Sequence, residues 1–558
     1  MDKKHIRIGL ILTIIFLLIH LAIMPGYGLT WDFHHHFFAG MHLLKQPITP
    51  DLVAHLPFTE PDPRGTYKLP FGPLMSIGPV ASYLIFFKQL GMVSFDNAYN
   101  LSIVISGVAG IFILFLFLLE AEGLATAVVG FIFLALLPRY FGDLHNNMKD
   151  VPQAAAFTLA IWLFWRLTQH KRPKDLVLAC LAFAIAFNTK VNTVMVPVIA
   201  GAWLLLSSLP KLIKQKSKLS LSKLLSPSKL LLAYFIFAPL SAFLLWSFFW
   251  DEPIKQLLYI PQFFLDNTQN IEVLLNGHWY CSGRNVPWFY PLWYLAITTP
   301  IPILIFFIFG LFTRMRSFFQ PSKLLNPSKL SLLLFLWFFF PIIRYIHPKM
   351  GVIDGIRHFE EVLFPLVAIA AIGFMRIVRM IMKFTRVSKK IRLIFITVVF
   401  SFIIYHLSFI IISYHPFQIS YYNELVGGIR GAWNKYDVDY WGGPQKIAVN
   451  WLNAIAPNNS TVYIAMGADV AGKYLRPDLL ARLNVQAMDT SDYTIVLNRQ
   501  SFFYRFFYLY EYLLTHKPIH TISVDGVPVV WIFDNRNPTI PRLTPWWKGE
   551  DPCIKKYW

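Results

Sequence analysis

The sequence has few charged residues, which make up only 14% of its 558 positions. Soluble globular domains carry about 25% charged residues, whereas this chain is 56% hydrophobic and 17% aromatic. This composition excludes a soluble globular enzyme. It is typical of a protein that crosses a membrane many times.

Acidic residues are also scarce, with 30 Asp and Glu against 50 Lys and Arg and a formal net charge of +20. Such an excess can indicate nucleic-acid binding, so its distribution along the chain decides its meaning. Here the Lys and Arg cluster in alternate segments between apolar windows, as in 210–229 and 376–392. This is the positive-inside pattern, and it predicts contact with anionic lipid headgroups. Nucleic acid is not an expected partner.

Only three cysteines occur, at Cys180 in an apolar window and at Cys281 and Cys553 outside the windows. No two of them have the spacing of a zinc-binding pair. Cys281 and Cys553 can form a disulfide in an oxidising compartment, but the sequence leaves their pairing open.

Long apolar windows are abundant, and their length suits membrane-spanning helices. They predict a polytopic α-helical membrane protein with about eleven transmembrane helices, a cytoplasmic N-terminus and an uncleaved first span. A twelfth span near 71–90 stays open. The windows are 8–24, 98–119, 124–138, 151–166, 176–189, 191–209, 230–250, 291–312, 330–346, 359–375 and 393–413. The predicted outer loops are 25–96, 139–150, 251–290 and 347–358.

The character of the chain changes after the last window, so we divide it into a membrane domain, 1–435, and a small extracytoplasmic α/β domain, 436–558. Residues 461–466 and 493–498 are predicted strands, and 501–514 a predicted helix. A hairpin should turn at Asp525-Gly526.

The stretch "GLTWDFHHHFF" (28–38) places one acid, Asp32, and three histidines directly after the first span. Asp32 is either an interfacial residue at the end of a helix or a catalytic carboxylate. Neighbouring histidines cannot all point in one direction, and a metal site needs fixed geometry. A divalent metal bound by Asp32, His35 and His36 therefore stays open.

Three further outer segments carry charged candidates. Lys68 in "TYKLPFGPL" is either an interfacial lysine or a functional one. Asp150 in "KDVP" is either the N-cap of the next helix or a second carboxylate facing Asp32. Arg357 and His358 lie where a span begins.

The order of these segments resembles the membrane-embedded C-type glycosyltransferases, known as the GT-C type. The nearest branch is the family-39-like one, related to protein O-mannosyltransferases and lipid A aminoarabinose transferases. The resemblance covers 28–451, and it departs from the family at Phe33, where many relatives have a glutamate. The matching motifs are "GLTWD", Lys68-x-Pro70, "KDVP" at 149–152, the Pro287-Trp288-x-Tyr290 stretch, "GIRHF" at 355–359 and "YYNELVGG…DYWGG" at 421–443.

The resemblance implies transfer of a sugar from a polyprenyl-phosphate donor to an acceptor hydroxyl at the outer face of the cytoplasmic (inner) membrane, with inversion. The acceptor class stays open among protein, lipid and glycan, and no cofactor is firmly implied. Asp32 would be the base with Asp150 as the second carboxylate, and Lys68, Arg357 and His358 would bind the phosphate. The other expected substrate-binding residues are Lys149, Trp288, Tyr290, Tyr422, Asn423, Glu424 and Asp439.

The alternative is a transporter or flippase of lipid-linked sugars. Transporters place ionisable groups near the bilayer midplane and often consist of repeated halves. The sequence shows no internal repeat, which favours the enzyme.

The predicted topology can be tested with reporter fusions along the chain. Fusions at Lys218 and Lys389 should report a cytoplasmic location, because both lie in Lys- and Arg-rich segments. Fusions at Gly277 and Asn459 should report the opposite side. A cytoplasmic signal at Asn459 would contradict the whole placement of the candidate site.

Overall fold

The computed structural model describes residues 2–54, 56, 65–214, 229–319, 329–347, 349–482, 487–488, 490–503, 507–536 and 553. Parts of the predicted basic loops 210–229 and 313–329, of the loop 25–96 and of the C-terminal segment lie outside these residues. The described chain is mostly helical. Its α-helices are Lys3–Ile23, Phe33–Leu43, Pro50–Ala54, Leu74–Ser82, Phe95–Glu122, Leu124–Ala135, Pro138–Asn146, Asp150–His170, Pro173–Thr189, Met195–Lys214, Lys229–Leu244, Pro253–Asn267, Tyr290–Thr298, Ile301–Phe319, Lys329–Ile343, Leu363–Lys383, Lys389–Ser413, Gly428–Ala432, Gln445–Ile455, Ala468–Ala471 and Phe507–Thr515.

Six helical segments of the described chain are long and apolar enough to cross a membrane, and a bent pair would make a seventh. A polytopic helical protein is therefore confirmed, while the count of eleven spans stays a prediction. Other predicted windows also fall on helices. Lys229–Leu244 is short, and Asp150–His170 is buried along most of its length, so it packs against protein more than lipid. The six segments are Lys3–Gly26, Phe95–Glu122, Val191–Ser208, Lys329–Ile346, Arg357–Lys383 and Lys389–Ser413.

The bent pair shapes the interior of the bundle. Leu124–Ala135 and Pro138–Asn146 meet at 62°, and Pro138 occupies the first turn of the second helix, where its missing N–H costs no hydrogen bond. Every residue of Pro138–Asn146 is buried. The bend therefore brings the following turn, 147–149, into the protein interior, where the helix from Asp150 begins.

A small hairpin lies in the predicted outer loop 251–290. Strands β1 (Glu272–Leu275) and β2 (His278–Cys281) pair antiparallel. Asn276 and Gly277, with φ of 54° and 78°, make the turn, as expected for a tight hairpin. Cys281 at the end of β2 forms a disulfide with Cys553, and Cys180 is free and buried.

The C-terminal part contains a five-stranded mixed sheet. Its strands are β3 (Thr461–Ala465), β4 (Leu480–Arg482), β5 (Tyr493–Leu497), β6 (His520–Val524) and β7 (Val527–Asp534). The spatial order is β4-β3-β5-β7-β6, with β3 parallel to β4 and β5 and the other pairs antiparallel.

The predicted strands and the hairpin turn at Asp525-Gly526 are confirmed by this sheet. The helix predicted at 501–514 is shorter, with a 3-10 turn at Gln500–Phe503 before Phe507–Thr515. We call this part the C-terminal α/β unit, and its independence as a domain stays a prediction.

This unit packs directly on the segment after the first span. The Trp31 N–H donates to the Trp441 carbonyl at 2.9 Å, and the Leu29 N–H donates to the Tyr474 hydroxyl at 2.9 Å. Lys446 also pairs with Asp96 at 2.7 Å. The stretch that carries Asp32 is therefore held between the helical bundle and the sheet.

Candidate active site

A cavity of about 530 Å³ lies where the helical bundle meets the C-terminal α/β unit. Its wall combines the stretch after the first span, the start of Asp150–His170, the turn before Arg357 and parts of the unit. The charged residues that line it are Asp32, Lys149, Lys190, Arg344, Asp354, Arg357 and Arg499. Such a concentration of charge at the end of a helical bundle indicates a functional site.

Asp32 lies between two cations. Its Oδ2 accepts hydrogen bonds from Lys149 Nζ at 2.6 Å and from Arg357 Nη2 at 2.8 Å. It precedes the helix Phe33–Leu43 but makes no capping bond, and 29% of its side chain is exposed. Burial raises the pKa of Asp32, but the charges of Lys149 and Arg357 outweigh it and hold this pKa well below its usual value. Asp32 is thus an ionised, accessible carboxylate.

Arg357 is the centre of the charged cluster. Besides Asp32, its Nη1 donates to Asp354 Oδ2 at 2.8 Å, and its Nε lies 3.6 Å from Asp150 Oδ2. The guanidinium plane stacks on the Trp441 ring with 4.2 Å to the centroid. Three carboxylates and one aromatic ring therefore fix its orientation.

Asp150 is the first residue of its helix and not the N-cap. The N-cap is Lys149, without a side-chain capping bond, and the Asp150 N–H donates to Asn147 Oδ1 at 2.9 Å. The Asp150 carboxylate pairs instead with Lys190. The capping interpretation is therefore wrong, and Asp150 is linked to Asp32 through Arg357.

His34 and His36 point to different partners, as expected for side chains at different positions on a helix. His34 pairs with Asp469 of the C-terminal α/β unit at 2.6 Å, whereas His36 Nδ1 lies 2.9 Å from Ser76 Oγ. Burial lowers the pKa of His36 to about 3, so this side chain stays neutral near pH 7.

The metal site that the sequence left open for Asp32, His35 and His36 is not assembled. In the part of the chain that the structure describes, no three His, Cys, Asp or Glu side chains are arranged to hold a metal ion. Asp32 instead contacts two cations, which would repel a divalent ion.

Lys68 does not join Arg357, contrary to the expected phosphate clamp. It is exposed and lines a second cavity of about 210 Å³, with its Nζ over the Tyr67 ring. The two cavities share Thr66 and Phe71. The amines of Lys149 and Lys190 are the ones that line the main cavity beside Arg357. His358 also lines it, and its carbonyl accepts from Arg344 and Tyr345.

Two predicted substrate-binding residues, Tyr290 and Asp439, stabilise the segments that position Arg357. Tyr290 accepts the Gly355 N–H at 2.9 Å and so holds the turn before Arg357. Asp439 Oδ1 accepts the N–H groups of Trp441 and Gly442, which fixes the ring under Arg357.

The remaining predicted residues lie away from the main cavity, and their expected contact with substrate is not supported. Tyr422 donates to the Asp437 carbonyl, and Asn423 bonds to the carbonyls of Ala296 and Thr299. Trp288 and Glu424 are exposed.

Four charged residues of the site were absent from the sequence-based candidates. One is Arg344, which pairs with Glu361 at 3.5 Å. Lys190 lies between two apolar windows, and a charged residue at such a position could have been recognised as a candidate from the sequence. Asp354 begins the "DGIRHF" stretch three residues before Arg357. Arg499 follows β5 and has no local signal, because its partner Asp354 is 145 positions away in the chain.

A family model described as dolichyl-phosphate-mannose-protein mannosyltransferase matches residues 76–246 of the chain. The resemblance to this family is confirmed over this segment. The matched segment contains Lys149, Asp150 and Lys190, whereas Asp32 and Arg357 lie outside it. No curated protein matches the chain.

Solved structures of similar shape cover most of the chain at low identity. ArnT from Cupriavidus metallidurans bound to undecaprenyl phosphate is 11% identical, covering 95% of this chain and 98% of its own, with a TM-score of 0.47. AglB from Archaeoglobus fulgidus, in complex with an inhibitory peptide and a dolichol-phosphate, is 13% identical, covering 89% of this chain and 69% of its own, with a TM-score of 0.45. The arabinofuranosyltransferase AftD from Mycobacteria is 13% identical, covering 96% of this chain and 40% of its own, with a TM-score of 0.44.

The Asp150–Lys190 pair gives a direct prediction for stability. Asp150→Asn leaves the buried Lys190 ammonium without its counter-charge, which costs about 3–5 kcal/mol when one partner of a buried pair is removed. The melting temperature should therefore fall, and Asp150→Asn with Lys190→Met should restore most of it.

Asp525→Asn is the matched control, because Asp525 belongs to an exposed pair with Arg430. Melting curves of the purified parent and the three variants would check this. An Asp150→Asn protein as stable as the parent would contradict the buried ion pair.

Proposed function

We propose that the chain is an integral membrane glycosyltransferase that moves a sugar from a polyprenyl-phosphate donor to an acceptor hydroxyl. The reaction would take place at the outer face of the inner membrane. The observation that carries the proposal is Asp32, a partly exposed carboxylate held between Lys149 and Arg357 in the wall of a large cavity.

The lining of the cavity suits a substrate that is half lipid and half polar. Besides its charged residues, the cavity has an apolar lining that comes from Leu69, Phe71, Met75, Phe264 and Leu265. The last two belong to Pro253–Asn267, an amphipathic helix without a buried residue, which is typical of a helix lying in the membrane interface. A polyprenyl chain fits the apolar wall, and a phosphate fits the cations.

The residues present can carry out a single displacement. Asp32 takes the proton of the acceptor hydroxyl while the acceptor oxygen bonds to the anomeric carbon. The bond from that carbon to the phosphate oxygen breaks, and the phosphate keeps the electron pair. Arg357 and Lys149 stabilise the charge that develops on the phosphate. Attack from the face opposite the leaving group inverts the anomeric centre.

The ion pairs also link donor binding to the strength of the base. Before the donor binds, Lys149 and Arg357 stabilise the Asp32 carboxylate and make it a weak base. A phosphate that shares these cations withdraws part of this stabilisation. The pKa of Asp32 then rises, and the carboxylate accepts a proton more readily in the donor complex.

The position of the charges favours an enzyme over a transporter or flippase. Asp150 is the first residue of its helix, and Arg357 starts the segment Arg357–Lys383. The cluster therefore lies at helix ends, whereas transporters bind near the bilayer midplane. Proteoliposomes that are assayed for both sugar transfer and lipid translocation would separate the two functions.

Asp32→Asn should abolish most of the transfer. Asn keeps the shape of the side chain but cannot accept the proton, so the rate should fall by about a hundredfold or more. Mass spectrometry of glycans and lipids from a strain lacking the chain would first identify the product, and complementation with each variant would then measure it.

Asp51→Asn is the matched control, because Asp51 is an exposed acid of the same outer segment. It should restore the product fully. A correctly inserted Asp32→Asn protein with near-parental transfer would contradict the assignment of the base.

The pH profile should depend on Lys149. Because the pKa of Asp32 is lowered, the carboxylate stays charged over roughly pH 5 to 8, and its protonation should not reduce kcat/KM there. Lys149→Met removes one stabilising charge, so the acid limb should move to higher pH. Rate measurements across pH for both proteins would show this, and an unchanged acid limb would contradict the proposed pairing.

A further inference from the structure

Asp354 joins two arginines that come from different parts of the protein. Its Oδ2 accepts from Arg357 Nη1 at 2.8 Å, and its Oδ1 accepts from Arg499 Nη2 at 2.7 Å. Asp354 and Arg499 are both buried, with 7% and 5% exposure. Each oxygen of this carboxylate accepts a hydrogen bond from one arginine, so the two arginines share its negative charge.

Arg499 is held in place by the C-terminal α/β unit. It follows β5, and its Nη1 donates to the Tyr440 carbonyl at 3.2 Å. Its guanidinium also lies over the rings of Trp31 and Phe502, with 4.9 Å and 3.7 Å to the centroids. These contacts leave the guanidinium little freedom, and they direct Nη2 to Asp354.

Arg499 also contributes one of the positive charges of the ion-paired cluster around Arg357. The cations are Lys149, Lys190, Arg357 and Arg499, and the carboxylates are Asp32, Asp150 and Asp354. Four cations thus face three carboxylates, with one positive charge in excess. Without Arg499 this cluster would be neutral. Asp150 does not line the cavity, whereas Arg344 does, so the charged lining consists of five cations and two carboxylates, and loss of Arg499 would lower its excess of positive charge from three to two. Arg499 thus adds positive charge to a cavity that has to accept an anionic phosphate.

We propose that Arg499 is a positioning residue for the donor phosphate and that the C-terminal α/β unit thereby completes the donor site. By neutralising Asp354, Arg499 leaves the charge of Arg357 available to the phosphate. This inference rests on the proposed function, because it names the donor phosphate as the ligand of the cavity.

Binding of undecaprenyl phosphate to the full-length protein tests the inference without knowledge of the sugar. Arg499→Met removes the charge but keeps most of the apolar stem, and it should weaken binding by about tenfold or more. Arg499→Lys keeps the charge and should bind with intermediate affinity. Arg482→Met is the matched control, because Arg482 is an exposed arginine of the same unit, on β4, and it should bind as the parent does.

The double variant Arg499→Met with Asp354→Asn separates the electrostatic role from a merely structural one. It removes one charge of each sign and restores the excess of one cation, so binding should return to within about threefold of the parent. A structural role of Arg499 would not predict this recovery, because the double variant also lacks the bridge between Asp354 and the unit.

The outcomes distinguish a failure of the proposed role of Arg499 from a failure of the proposed donor class. Parental affinity in a folded Arg499→Met protein would overturn the role of Arg499, and so would a loss that Asp354→Asn does not repair. If the parent protein itself fails to bind undecaprenyl phosphate, the proposed donor class is wrong as well, and the inference falls with it.

Discussion

The Arg357 guanidinium is the point on which the site depends, because three segments of the chain each bring one carboxylate to it. Asp32 comes from the stretch after the first span, Asp150 from the start of a buried helix, and Asp354 from the turn before Arg357 itself. A buried charge is costly unless it is paired. Correct pairing therefore requires all three segments to be in place, and Trp441 below the guanidinium adds a fourth.

The helical fold explains why these groups meet at one end of the bundle. Polar groups are tolerated where helices begin, outside the apolar stretches that face lipid. The bend of 62° before Pro138–Asn146 carries the next turn inward, and Asn147 then fixes the start of the helix at Asp150 through its side chain. The cavity thus combines a charged wall made by helix ends with an apolar wall made by Phe71 and Phe264.

Much of this could be predicted from the sequence, and the failures have a common physical cause. Apolar windows and strand patterns are local, so the helices and the sheet were predicted, and the motifs placed Asp32, Lys149 and Arg357 in one site. Asp150 was ambiguous because an acid at a helix start is compatible with both capping and ion pairing. Lys68 was misplaced and Arg499 was missed because the partner of a charged side chain is set by tertiary packing, which local spacing does not reveal.

The bridge from Asp354 to Arg499 has a consequence for how this architecture can be recombined. The C-terminal α/β unit contributes a buried charge to the membrane part, so exchange of the unit also exchanges the Arg499 partner of Asp354. In a chimaera that takes the unit from a relative without an arginine at this position, Asp354 would lose one of its two arginine partners and would pair with Arg357 alone. A chimaera therefore has to take Asp354 and Arg499 from the same protein, although the two residues lie in different parts of the fold.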